Sequence, residues 1–125
     1  MPRCSSTSKI QHVWLRSPPS SSETQREQAH WFPIDEEQLK IEFVRYQQLL
    51  TKEDIEITVL PPGINPDSIY LYDAMIHTPW GIIIYQSCKP NRTEESNEIR
   101  AYITETTDIP ILGQITPPGY VDGGD

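Results

Sequence analysis

The chain is predicted to be an α/β protein, on three observations. Short stretches with apolar side chains at every second residue alternate with two longer stretches whose apolar residues recur every three or four. Strands and helices interleave along the chain instead of falling into separate blocks. Clusters such as Ser17-Pro18-Pro19, Pro61-Pro62-Gly63 and Pro117-Pro118-Gly119 punctuate the ends of the strand-like stretches.

Taken in order, residues 1–9 are polar, serine-rich and aperiodic, and a disordered extension is expected there. Ile10 to Leu15 reads as a first strand, and residues 20–30 as a loop or lid. Asp35 with Gln38 three residues on forms a capping-box signature, and Glu36 and Glu37 favour a first helical turn. Leu39, Phe43, Tyr46 and Leu50 then predict an amphipathic helix over 36–51. Ile55, Ile57 and Val59 alternate with polar residues, as in a strand. Ser68–Thr78 and Trp80–Gln86 are rich in β-branched and aromatic residues and read as a hairpin turning at Pro79–Gly81. Asn91 with Glu94 signals a second capped helix over 92–106, buried through Ile99, Tyr102 and Ile103, and Ile109–Ile115 is a last strand. Five strands and two helices suffice for one small sheet.

Composition narrows the function. The apolar fraction, 36%, lies below the ~45–50% typical of soluble domains (a range that also counts glycine), so the interior is thin. Ten basic against eighteen acidic residues give a net charge of −8. Without a Lys/Arg patch, a nucleic-acid partner is not expected, whereas a small cationic ligand suits the balance. Cys4 and Cys88 have neither metal-ligand nor disulfide-framework spacing. The longest apolar run, Ile82–Tyr85, is far short of a membrane span, and no apolar stretch follows Arg3 and Lys9 as a signal peptide requires. A soluble cytoplasmic protein with no membrane partner is expected.

Two stretches concentrate the chemistry. In Pro66-Asp67-Ser68-Ile69-Tyr70-Leu71-Tyr72-Asp73-Ala74 two carboxylates lie six residues apart, which in a strand places them on one face. Asp73 sits amid apolar residues, and a buried charge requires a partner that a cationic ligand can supply. The plainer alternative is that Asp67 caps a turn after Pro66 and that Asp73 bonds nearby backbone amides. In Tyr120-Val121-Asp122-Gly123-Gly124-Asp125 the paired glycines permit a close backbone approach with the flanking carboxylates held in fixed directions; a plain surface turn is the alternative.

Together, and in this order, these stretches resemble the dimethylargininase, arginine deiminase and amidinotransferase superfamily of guanidino-group-modifying enzymes. Pro66–Ala74 is similar to the family strand in which a proline–aspartate pair precedes a second aspartate by the same distance. Gly113–Asp125 is similar to the stretch that ends in an acidic residue, two glycines and an aspartate. Between them Gly81-Ile82-Ile83-Ile84-Tyr85, Lys89-Pro90 and an acidic helix follow the family layout. The resemblance covers 10–125 and is strongest over 66–125.

The resemblance implies a pseudo-fivefold α/β propeller of strand-strand-helix-strand units. Residues 10–125 would form the N-terminal part of the enzyme domain, supplying about two of the five units and ending before the catalytic machinery is complete. It implies attack of a cysteine thiolate on the guanidinium carbon to give a covalent thiouronium, with a histidine as general acid and base and an acidic residue orienting it. Asp73 becomes the guanidinium ligand, Asp67 a second substrate-binding carboxylate and Asp122 the orienting acid, since carboxylates match the planar guanidinium fork. The partner is a small guanidine such as an arginine derivative, and no cofactor or metal is implied.

Neither Cys4 nor Cys88 falls at the nucleophile position, nor His12, His30 or His77 at that of the base. Cys88 reads as a strand-end residue, His77 as a hairpin residue and Asn91-Arg92-Thr93 as a helix cap, while Trp31 and Phe32 are candidates for a lid. Tyr72 departs from the family, in which dimethylargininases usually have glutamate there and arginine deiminases arginine. Hydrolysis of a substituted arginine, deimination and amidino transfer therefore stay open at this point, as does an inactive guanidine-binding or interaction fragment.

Overall fold

The computed structural model describes residues 8–125; residues 1–7, which include Cys4 and most of the expected extension, lie outside the described residues. The chain divides into compact units, one spanning Lys9–Ile69 and the other containing Tyr70–Asp125.

In Lys9–Ile69, β1 (His12–Arg16) lies parallel to β2 (Glu56–Leu60), in register from His12↔Glu56 to Arg16↔Leu60. Parallel neighbours need a crossover, and two helices make it. The first, α1 (Glu23–Gln28), falls where a loop was expected. The Ser22 hydroxyl accepts from the Gln25 amide at 3.2 Å and the Gln25 side chain accepts from the Ser22 amide at 2.8 Å, a complete capping box. The second, α2 (Glu36–Lys52), starts as predicted at Asp35, whose carboxylate accepts from the Gln38 amide at 3.0 Å; the Gln38 side chain donates onward to Glu42.

Leu39, Phe43 and Leu50 are half-buried as the apolar stripe requires, but Tyr46 is exposed and Gln47 occupies the inner position. Beyond Lys52 the chain turns at Asp54, whose left-handed φ of 57° a short polar side chain tolerates. Leu60, at the end of β2, is fully buried.

The expected strand over 68–78 is corrected by the structure. Pro66–Ile69 and Leu71–Asp73 are 3-10 turns, closed by Ser68 N donating to Asn65 O and Asp73 N donating to Tyr70 O, each at 3.1 Å. Asp67 and Asp73 are therefore not alternate residues of one strand, and the period-two argument for a shared face does not apply.

In Tyr70–Asp125 the strand begins only at β3 (Met75–Thr78), which pairs antiparallel with β4 (Gly81–Ile84) as the predicted hairpin. The Thr78 hydroxyl donates to Gly81 O at 2.8 Å and accepts from Trp80 N at 3.3 Å, closing the turn. Gly81 has φ +147°, and a Cβ there would stand 2.3 Å from the Pro110 carbonyl oxygen, so only glycine fits. After a 3-10 turn at Pro90–Arg92, α3 (Glu95–Thr106) crosses over to β5 (Ile111–Gln114), parallel to β4. The predicted start at Asn91–Arg92 is corrected: the helix begins at Glu95, and its N-cap Glu94 makes no side-chain capping bond.

The order β3-β4-α3-β5 is the strand-strand-helix-strand unit expected there. Two sheets form in place of one, β1-β2 and β3-β4-β5. Ile82 and Ile84 of β4 meet Ile99 and Ile103 of α3 in the core of this unit, all at 0–1% exposure.

Truncating Ile103 leaves a cavity under α3 that neither β4 nor β5 can close. Ile103→Ala is expected to lower stability by ~2–5 kcal/mol, measured as a shift in urea midpoint at unchanged slope.

Candidate functional site

The predicted carboxylates fall in different units, and each is described in its own. In Lys9–Ile69, Asp67 lies in the turn that Pro66 opens and is 4% exposed. One of its oxygens accepts from the Trp31 indole Nε1 at 2.9 Å. Ala29 and His30, the latter with a left-handed φ of 60°, separate α1 from Trp31. The segment expected as a lid is thus tied to Asp67 by Trp31, whereas Phe32 is 87% exposed.

In Tyr70–Asp125 the site is built round a side chain that the sequence reading used only as part of a cap. Arg92, 3% exposed, ends the 3-10 turn before α3. Its Nε and Nη2 donate to the two oxygens of Glu95 at 2.5 and 2.8 Å, the side-on bidentate arrangement that a guanidinium fork allows. Nη2 also donates to Tyr70 O at 3.1 Å, and Nη1 donates to Asp73 Oδ2 at 2.8 Å. Burial pushes the Arg92 guanidinium down, but the hydrogen bonds and charges of Glu95 and then Asp73 outweigh it and hold the group above the ordinary arginine value.

The other oxygen of Asp73, Oδ1, accepts from the Gly123 amide at 3.1 Å. Asp73 thus bonds one backbone amide, 50 residues away, and a buried cation as well. Its side chain keeps 18% of its surface open. The cluster Asp73–Arg92–Glu95 carries two carboxylates and one guanidinium.

The Asp-Gly-Gly-Asp segment reaches Asp73 because Val121 N donates to Gln86 O at 3.0 Å, fastening the chain beyond β4. Gln86 is itself buried and accepts from the Ser96 hydroxyl of α3 at 3.1 Å. Asp122 is exposed and folds its carboxylate onto the Gly124 amide at 2.9 Å, while its own amide donates to Asp125 Oδ2 at 3.0 Å. The structure therefore brings Asp73 and the Gly123 backbone together with Arg92 and Glu95, and seats Asp122 in the adjoining turn. A Cβ on Gly123 would come within 2.1 Å of the Tyr72 ring and 2.6 Å of the Tyr72 carbonyl oxygen. The Tyr72 ring, 62% exposed, meets that of Tyr70 edge-on at 6.1 Å.

Arg92 and Glu95 were missed as site residues. Their spacing of three signals an ion pair on one helical face, but nothing local distinguishes a buried pair from a solvated one. Cys88 and His77 are exposed, His77 within β3. Among the described residues no group of three or more His, Cys, Asp or Glu is placed to hold a metal ion, and no helix is long and apolar enough to cross a membrane.

The fold and its buried carboxylate–guanidinium cluster define an α/β protein with an anionic site. Comparison with known proteins makes the fold particular. No family model and no curated protein matches the sequence. Solved structures do match. A dimethylarginine dimethylaminohydrolase bearing an adduct of 4-chloro-2-hydroxymethylpyridine superposes with TM-score 0.72 at 23% identity, over 93% of this chain and 44% of that one. A histidine-to-glycine variant of dimethylarginine dimethylaminohydrolase, as an adduct with S-methyl-L-thiocitrulline, has TM-score 0.72 and 24% identity over 94% and 46%. The third, DDAH from Pseudomonas aeruginosa as a cysteine-to-serine variant complexed with citrulline, has TM-score 0.72 and 24% identity over 93% and 46%. The chain has the α/β fold of these hydrolases over nearly all its length and spans just under half of theirs.

Because Gly123 admits no side chain against Tyr72, Gly123→Ala is expected to displace the terminal turn and break the bond to Asp73. The Asp73 carboxylate signal in a carbon-detected NMR spectrum is expected to move, while α3 and β4 amides distant from it stay in place.

Proposed function

We propose that residues 10–125 form the N-terminal, guanidine-binding part of a dimethylargininase-like amidinohydrolase domain. The observation that carries this reading is the Asp73 carboxylate. It is mostly buried, fixed through both oxygens and partly open at its surface, in a chain that shares its fold with dimethylarginine hydrolases. A site that already accommodates one guanidinium, that of Arg92, has the electrostatic sign to accept another.

In this reading Asp73 accepts N–H groups of the substrate guanidinium on its remaining lone pairs and holds the central carbon in position. Asp67 is the second substrate carboxylate, with Trp31 beside it. Asp122 orients the histidine that serves as general acid and base. The thiolate adds to the guanidinium carbon, the histidine protonates the departing amine, and water then cleaves the carbon–sulfur bond to leave the ureido product. The β3-β4-α3-β5 unit is one blade of the pseudo-fivefold propeller, and β1-α2-β2 belongs to another. Hydrolysis is preferred to amidino transfer or deimination because the structures that share the fold are dimethylarginine hydrolases, one of them complexed with citrulline.

Titration calorimetry with L-arginine and an Nω-methylated arginine tests the site. Binding to the chain and its loss in Asp73→Ala are expected, and an unchanged affinity in that variant would remove Asp73 from the site.

None of His12, His30, His77, Cys4 or Cys88 occupies a position for the base or the nucleophile in this reading. The 125-residue chain is therefore expected to show no turnover by itself. Citrulline released from an arginine derivative by the purified chain, beyond a no-protein control, contradicts that expectation.

A further inference from the structure

We propose that the outward side of α2 is the interface of a homodimer, on which the same helix of a second copy of this chain packs antiparallel. Every α2 and β2 residue concerned belongs to the Lys9–Ile69 unit, and nothing here depends on the guanidine reading. The 17 residues of α2 include none that is buried. Leu39, Phe43, Gln47 and Leu50 form its half-buried inner stripe. A second stripe, Glu37, Ile41, Val44 and Gln48, recurs at spacings of four, three and four on another side of the helix. Its apolar members, Ile41 and Val44, are 47% and 50% exposed. Two adjoining hollows run along this stripe. One is lined by α2 alone, between Glu37 and Gln48. The other shares Val44 and Gln48 with it and continues past Lys52 over Ile55 and, on β2, Ile57 and Val59. A partly apolar groove rimmed by polar residues is a surface that a partner helix covers.

The order of charges along α2 identifies that partner. Glu37 stands in the first turn and Lys52 in the last, as the helix macrodipole favours. A second α2 laid parallel brings Glu37 level with Glu37 and Lys52 level with Lys52. Laid antiparallel, about a two-fold axis between Val44 and Arg45, the match is different. Glu37 of each copy then lies level with Lys52 of the other, Ile41 with Gln48, and Val44 with Arg45. All of these residues line the two hollows. Leu49, 60% exposed, falls level with the methylene stem of Lys40. Glu36, which would add a carboxylate to the acidic end, is engaged by Arg26 at 2.8 Å. Arg45 approaches its own copy beside the axis, and its length lets the guanidinium extend into water there.

Sedimentation equilibrium of the 125-residue chain tests the proposal, with α2 amide NMR shifts followed on dilution and each variant first shown by circular dichroism to keep its helix content. The wild type is expected to pass from monomer to dimer between ~1 μM and ~1 mM, as weak interfaces of small area do. Amides from Ile41 to Gln48 should shift on dilution while those of α3 stay in place. Lys52→Glu should weaken association ~10-fold, because two symmetry-related attractions become repulsions. Adding Glu37→Lys to it should restore association to within ~3-fold of wild type. Val44→Glu, which buries an unpaired carboxylate twice, should weaken it ~100-fold or more. Trp80→Ser, 60% exposed at the β3–β4 turn, should leave it unchanged.

A chain that stays monomeric over the whole range overturns the proposal and leaves the groove to another occupant. Association that survives Val44→Glu also overturns it, since the copies then meet elsewhere. So does a Lys52→Glu defect that Glu37→Lys does not rescue, because the two residues are then not opposed.

Discussion

A buried guanidinium must be met on several sides at once, and much of the Tyr70–Asp125 unit is arranged to do so for Arg92. Desolvating such a charge costs several kcal/mol unless carboxylates and carbonyls replace the lost water. Here three residues supply them: Glu95 from the first turn of α3, and Tyr70 and Asp73 from the turn before β3. The terminal turn joins this network through the Gly123 amide on the second oxygen of Asp73. Because the partners raise the Arg92 pKa above its ordinary value, the stabilisation is complete below the normal arginine range. It is lost only as pH rises through the strongly alkaline region. The guanidinium therefore stays charged throughout the neutral range.

Elements that rest on local periodicity were legible in the sequence. The α2 stripe, the β3–β4 hairpin and the β4-α3-β5 crossover follow from spacing alone, because alternation and the three-to-four repeat report directly on which side chains leave water. Ser22 and Gln25 repeat the pattern used at Asp35 and Gln38, yet residues 20–30 were expected as a loop or lid, and α1 is a correction to that expectation. The segment from Pro66 to Asp73 was misread for a different reason. Its aromatic and β-branched residues favour a strand, but its conformation answers to partners elsewhere. Arg92 bonds Asp73 from 19 residues away, and Gly123 from 50. No window along the chain contains those contacts.

The two aspartates named from the sequence have different surroundings. Asp67 accepts from a neutral indole N–H donor, that of Trp31. Asp73 is held by a cation and a backbone amide, neither of which can turn aside without disturbing α3 or the terminal turn.

The parallel pairing of β1 with β2 governs how the chain acquires this structure. The β3–β4 hairpin closes over two residues, and hairpins form in ~1–10 μs. The His12 ring, by contrast, meets Thr58 across 46 residues, after α1 and α2 have been made. Contacts of such high sequence separation form late, because the entropy of closing the loop is lost before any pairing rewards it. During synthesis at ~5–20 residues per second, β1 leaves the ribosome several seconds before the partner strand exists. Until then Val13, Trp14 and Leu15 are an apolar segment without the strand that pairs with them in the folded chain.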